Sequence, residues 1–204
     1  MSEWVRWHEA YGDPGSALSR RLRIVQGHLA DWLDGRPEAE LTVVSACAGQ
    51  GRDVIEVLGG RDDADRVHAT LLETDPANVA AARAAGLSTV DVRRADAGNL
   101  ASYRDITPAD LVLMAGVFGN IGDDDVRRTV AALPHLCRPG GTVIWTRSRR
   151  DPDLTGSIRA WFAEAGFAEQ AFDAPEDTLF SVGVHRLTGT PRTPPPTGRL
   201  FTFR

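Results

Sequence analysis

The sequence contains no lysine: all 23 of its basic residues are arginine. Without an ε-amino group the chain cannot form a Schiff base, attach pyridoxal phosphate, or supply a Walker lysine or the Tyr/Lys pair of short-chain dehydrogenases. Cysteine is almost as scarce. Cys47 and Cys137 are the only two, too few for a disulfide framework or a zinc cluster. Positive charge is not in excess either, since the formal net charge is −5. That balance argues against a uniformly basic nucleic-acid or membrane-surface protein. No apolar run is long enough to span a bilayer, and the longest, Leu111 to Gly119, falls far short. The opening MSEWVRWHEAYGD lacks the basic-then-apolar order of a signal peptide. A soluble, cytoplasmic protein is expected.

What is present suits one α/β domain. The 204 residues are too few for two full domains, and 42% apolar with 25% charged residues is a globular balance. Trp4, Trp7 or His8, and Tyr11 fall at helical spacing before Gly12-Asp13-Pro14-Gly15 interrupts the pattern. Ser16 is placed to cap a second helix that carries Leu18, Leu22, Val25, Leu29 and Trp32 or Leu33 on one face. From Leu41 the chain alternates. LTVVSA, HATLLET, STVDVRRAD, ADLVLMAGVF and TVIWTRS read as strands, with helices between them. Phe167 to Phe172 and Leu179 to Leu187 read as a last antiparallel pair. Such alternation implies right-handed βαβ units, hence a Rossmann-like, doubly wound, mostly parallel seven-stranded sheet. We expect a single domain over 1–187, with a helical cap at 1–36 and the core at 41–187. A Pro-rich extended tail is expected at 188–204.

In open α/β sheets ligands bind beyond the carboxyl ends of the strands, at the switch point after the first. Ser45-Ala46-Cys47-Ala48-Gly49-Gln50-Gly51-Arg52-Asp53 stands there. Gly49 and Gly51 permit close backbone approach, and the following helix offers its N-terminus to an anion. Glu73 and Asp75 follow about twenty residues on, where a carboxylate can accept both ribose hydroxyls. Asp96 and Ala97 end the third strand, where an Asp can bind an adenine amino group. A dinucleotide fingerprint requires a third glycine, but Val54 occupies that place.

Together these features resemble the class I S-adenosylmethionine-dependent methyltransferases. Gly49 and Gly51 match the last two glycines of that family's first motif, while Ser45 and Cys47 stand in place of its acid and first glycine. Glu73 matches the ribose-binding acid and Asp96 the adenine-site acid. LPHLCRPGGTVIW matches the segment leading into strand five. A narrower resemblance, to small actinobacterial methyltransferases, extends to WVRWHEAYGDP and CAGQGRD. The resemblance implies S-adenosylmethionine as cofactor. We expect contacts to it at Cys47, Ala48, Gly49, Gly51, Arg52 and Asp53, at Glu73 and Thr74, at Asp96 and Ala97, and at Ala115 and Gly116.

Methyl transfer from a sulfonium is an in-line displacement that needs the acceptor held in place and sometimes a proton removed. Candidates at the carboxyl edge are Asn120 after strand four, Arg147 after strand five, and His8 and Tyr11 in the cap. Each has a structural alternative: helix packing for the cap aromatics, a turn or helix cap for Asn120, a solvated arginine run for Arg147. Asp123-Asp124-Asp125 reads as three acids favouring a helix N-terminus, and no metal is expected. The expected acceptor is the O or N of a small molecule, in specialised metabolism, acted on by a monomer or homodimer. The competing readings are an NAD(P)-binding oxidoreductase and a cofactor-binding module without chemistry. Nucleic acid as a substrate is disfavoured by the acidic charge and by Ala115-Gly116-Val117 where such enzymes carry an Asn-Pro-Pro-Tyr motif.

Overall fold

In the computed structural model, which describes residues 13–190 and 198–204, the first helix is α1 (Ala17–Asp34). Ser16 caps it as expected, its hydroxyl accepting the Ser19 N–H at 3.1 Å. Val25, Leu29 and Leu33 form its buried stripe. There follow β1 (Leu41–Ala46), α2 (Arg52–Gly59), β2 (Val67–Glu73), α3 (Pro76–Ala84), β3 (Val90–Arg94) and β4 (Ala109–Met114). The chain continues through α4 (Asp123–Ala132), β5 (Cys137–Ser148), α5 (Thr155–Glu164), β6 (Phe167–Asp173) and β7 (Phe180–Leu187).

The seven strands form one sheet in the order β3-β2-β1-β4-β5-β7-β6. The pairings of β1 through β5 are parallel, and β7 runs antiparallel between β5 and β6. The order reverses at β1 and β4, which creates the crevice that a doubly wound sheet offers to a ligand. The expected architecture is therefore present: β7, last in the chain, runs antiparallel to the other strands, and β6 closes that edge of the sheet.

Strand alternation separates two apolar layers. Val43, Leu71 and Leu111 face α1, α2 and α3 through Leu29, Val54, Leu58 and Val79. Val44, Leu72, Val112 and Trp145 face α4 and α5 through Val126, Val130, Ile158 and Phe162. Successive residues of one strand thus serve opposite layers, as period-two geometry requires. Leu200 and Phe201 also enter the second layer, each only 1% exposed. The C-terminal residues are therefore built into the core rather than simply trailing as an extended tail. Residues 1–12, including the expected first helix, lie outside the described residues.

Candidate functional site

The turn after β1 is shaped by three left-handed residues: Cys47 (φ 53°), Gly49 (57°) and Gly51 (71°). Gly49 and Gly51 adopt this conformation without penalty, whereas at Cys47 a side chain is held in it. Gly51 then opens α2, whose first turn contains Asp53.

Glu73, at the end of β2, ties this turn to its neighbour. One carboxylate oxygen accepts the Gly49 N–H at 2.7 Å, and the other accepts the N–H groups of Thr74 and Asp75 at 2.8 Å each. The side chain is buried, yet it borders the cavity beyond the sheet edge. A carboxylate offers about four acceptor sites, so three backbone donors leave room for a further one. Asp75 also borders the cavity, but its carboxylate caps α3 by accepting the Ala77 and Asn78 N–H groups at 2.8 and 3.0 Å.

After β3, one Asp96 oxygen accepts the Gly98 N–H at 2.8 Å, and the other pairs with Arg199 at 2.7 Å. After β4, the Gly116 N–H donates to the Thr146 hydroxyl at 2.8 Å, and the Asn120 amide donates to the Gly116 carbonyl at 2.6 Å. These groups converge on one cavity of about 540 Å³, within the roughly 300–1,000 Å³ typical of small-molecule sites.

Most expected contacts meet there: Cys47, Ala48, Gly49, Arg52, Asp53, Glu73, Thr74, Asp96, Ala97, Ala115, Gly116 and Asn120 all line the cavity. Two do not. Gly51 packs beneath the turn against Leu71 and Ile55, so its role is to let the chain turn. Arg147 is drawn away from the cavity, because its guanidinium donates to the Phe118 carbonyl and pairs with Asp123 at 3.1 Å. That pairing ties β5 to the start of α4. His8 and Tyr11 lie outside the described residues.

Three contributions were not anticipated. Arg21, Leu22 and Val25 of α1 form one wall, so the described part of the expected cap does border the cavity. The amphipathic stripe signals Leu22 and Val25, but nothing in it indicates which end faces a ligand. Gln50, Leu72, Asn78 and Ala95 fill gaps between the expected contacts. Arg199, Thr202 and Phe203 come from the C-terminal segment; Arg199 lies 103 residues beyond Asp96, which it reaches after β3. The three apolar residues of Arg-Leu-Phe-Thr-Phe, after the Pro-rich stretch, are their one sequence signal.

Electrostatics distinguish the lining groups. Burial pushes the Asp53 carboxyl up to about 6, against the lowering effect of the Val54 N–H that it accepts at 3.0 Å. Burial also drives the Cys47 thiol well above its ordinary value, and nearby Glu73 and Asp96 reinforce the effect. Cys47 is thus held as a neutral thiol, a poor nucleophile.

A family model described as "Putative methyltransferase" matches residues 24–166, and the chain belongs to that methyltransferase family. The fold is that of the class I S-adenosylmethionine-dependent methyltransferases. Magnesium protoporphyrin IX methyltransferase from Synechocystis PCC 6803, solved with S-adenosylhomocysteine, superposes with a TM-score of 0.66 at 13% identity, covering 90% of this chain and 93% of that one. The 1,6-didemethyltoxoflavin-N1-methyltransferase of Burkholderia thailandensis, solved with 1,6-didemethyltoxoflavin and S-adenosylhomocysteine, gives 0.63 at 17% identity, covering 91% and 87%. An O-methyltransferase family protein from the same species gives 0.60 at 16% identity, covering 85% of this chain but only 57% of that one. Among curated proteins, a segment of 107 residues is 37% identical to part of the glycine dehydrogenase (decarboxylating) of Bordetella avium (strain 197N). The match covers 50% of this chain and 11% of that protein.

Proposed function

We propose that the chain is an S-adenosylmethionine-dependent methyltransferase that transfers a methyl group to the oxygen or nitrogen of a small-molecule acceptor. The observation that carries this reading is the convergence of Asp53, Glu73 and Asp96, from the ends of successive β-α turns, on a single cavity of about 540 Å³. The donor set fits the cofactor. Glu73 keeps an acceptor site beside its backbone donors for ribose hydroxyls, and Asp96 faces the place for an adenine amino group. Among the described residues buried Asp53 forms no ion pair, although the charge of Arg21 acts on it, and an ammonium arriving there would offset its desolvation. Arg52, on the same wall, suits the carboxylate of the amino-acid end.

When bound, the cofactor supplies a methyl group already activated by its sulfonium. The chain's own residues bind, orient and exclude water. Gly49 lets the backbone approach, while Ala115 and Gly116 leave room at the β4 end. Asn120, its amide fixed by the Gly116 carbonyl, lines the same cavity and is the candidate for holding an acceptor there. His8 and Tyr11 are the candidates for proton removal on the N-terminal side, a role that typically contributes about 10²–10⁴-fold. The two neighbours whose names specify small acceptors, a porphyrin and a toxoflavin precursor, support the small-molecule class.

Incubation with methyl-labelled S-adenosylmethionine and a panel of phenols, carboxylic acids, amines and heterocycles tests the acceptor. Label recovered on an O or N of one class supports the reading. Transfer confined to nucleic acid or protein would contradict it.

A further inference from the structure

The C-terminal segment crosses the carboxyl edge of the sheet and is fastened at both ends. Beside β3, the Leu100 N–H donates to the Gly198 carbonyl at 3.0 Å and the Leu200 N–H to the Gly98 carbonyl at 2.7 Å. Beside β4, the Arg204 N–H donates to the Asn120 carbonyl at 3.0 Å, and Ile121 bridges Phe203. In between, Leu200 and Phe201 are buried. Arg128 donates to the Leu200 carbonyl at 3.1 Å, and Asp125 accepts the Thr202 N–H at 2.9 Å. The packing is close enough to dictate a residue elsewhere: a Cβ on Gly98 would overlap the Phe201 carbonyl oxygen.

This strap reaches the cavity through Arg199, Thr202 and Phe203. Arg199 holds one Asp96 oxygen at 2.7 Å and also donates to the Phe201 carbonyl at 3.1 Å. The Gly98 N–H holds the other oxygen. Both oxygens of a half-exposed carboxylate, which would otherwise rotate freely, are thus fixed in place. Each retains a second lone pair for a donor in the cavity.

We propose that the strap, residues 198–204, is an integral wall of the cofactor site, and that Arg199 is the positioning residue that aims Asp96 at the exocyclic amino group of adenine. The proposal rests on the cofactor reading above. A fixed, ionised carboxylate accepts an amino N–H and repels a carbonyl oxygen at the same position. The site should therefore distinguish S-adenosylhomocysteine from S-inosylhomocysteine, in which a carbonyl oxygen replaces that amino group and N1 carries a proton.

Calorimetric titration of the full chain with both ligands tests this. Wild-type protein is expected to prefer the adenosine compound by about tenfold or more, the scale of a charge-assisted hydrogen bond. In Arg199→Gln the preference falls below about threefold, through weaker binding of the adenosine compound, with little change in melting temperature because Arg199 is half exposed. Gly98→Ala, whose Cβ would overlap the Phe201 carbonyl oxygen and press on the Arg199 guanidinium and an Asp96 oxygen at 3.0 Å each, disturbs the pair while leaving both charged residues in the sequence, and lowers the preference in the same direction. An undiminished preference in either variant would overturn the positioning role. Equal binding of the two ligands by wild-type protein would overturn the assignment of Asp96, and binding of neither would instead contradict the underlying cofactor reading.

Discussion

Glu73 and Gly49 are joined by a 2.7 Å hydrogen bond from the Gly49 N–H to a carboxylate oxygen, which locks the turn after β1 to the end of β2. With Thr74 and Asp75 on the other oxygen, one buried side chain serves both fold and site. Glu73→Ala would remove the shared acceptor of the Gly49, Thr74 and Asp75 N–H groups, all part-buried. We expect a loss of about 1.5–3 kcal/mol in stability together with at least a tenfold loss of S-adenosylhomocysteine affinity. Glu73→Gln, with a single acceptor oxygen, should fall between wild type and Glu73→Ala in chemical denaturation.

Asp53 carries the opposite balance, a stability cost retained in the cavity wall. Its folded-state value of about 6, against 3.8 for the free group, means that the folded state holds the proton more tightly. Stability should therefore decline as pH rises from about 4 to 6, then level off. Asp53→Asn keeps the acceptor for the Val54 N–H and removes the buried charge. It should be more stable than wild type by roughly 2–3 kcal/mol above pH 6, with the difference vanishing near pH 4. Its S-adenosylhomocysteine affinity should fall. Melting curves across that pH range, paired with titrations at pH 7.5, check both halves.

His185 responds in the other direction. It is 1% exposed, accepts the Trp145 indole N–H on Nδ1 at 3.1 Å, and stacks on Phe162. Burial lowers it from 6.5 to about 4, only partly offset by nearby Glu169. Between those values the unfolded chain binds the extra proton, so stability falls as pH drops from about 6.5 to 4. The full effect is roughly 3 kcal/mol. In wild type Asp53 masks part of this slope below pH 6. The Asp53→Asn background should expose it, and Asp53→Asn/His185→Gln should flatten it.

Gly51 and Arg147 separate scaffold from site. A Cβ at Gly51 would meet Leu71 Cδ1 at 2.5 Å and Ile55 Cδ1 at 2.8 Å, at a φ of 71°. Gly51→Ala should cost about 1–3 kcal/mol of stability. Arg147→Ala frees Asp123 and the Phe118 carbonyl and should cost about 1 kcal/mol. Neither residue lines the cavity, so both folded variants should bind S-adenosylhomocysteine within about threefold of wild type. A tenfold loss in either would place that residue in the site after all.

The βαβ order was legible in the sequence because buried parallel strands such as LTVVSA and ADLVLM are nearly continuous apolar runs bounded by turn residues. The turn after β1 and the acids after β2 and β3 were legible for a related reason: each lies at a strand end, and topology brings strand ends together. Arg147 also lies near a strand end, but strand position does not determine which way a long side chain turns, and Asp123 took it. Gly51 shows the same limit for backbone. Its left-handed φ was required by the turn, not by a ligand. The C-terminal wall was hidden because it depends on a contact between Arg199 and Asp96, 103 residues apart, which no local period encodes. The Pro-rich composition before it suggested an extended tail, whereas the last residues anchor through Leu200 and Phe201.

The most direct test of the central claim is calorimetric titration of wild-type protein with S-adenosylhomocysteine and, separately, NADH. Saturable, one-to-one binding of S-adenosylhomocysteine that is weakened at least tenfold by Glu73→Ala is expected, with no saturable binding of NADH. No binding of S-adenosylhomocysteine, or tighter binding of NADH, would contradict it.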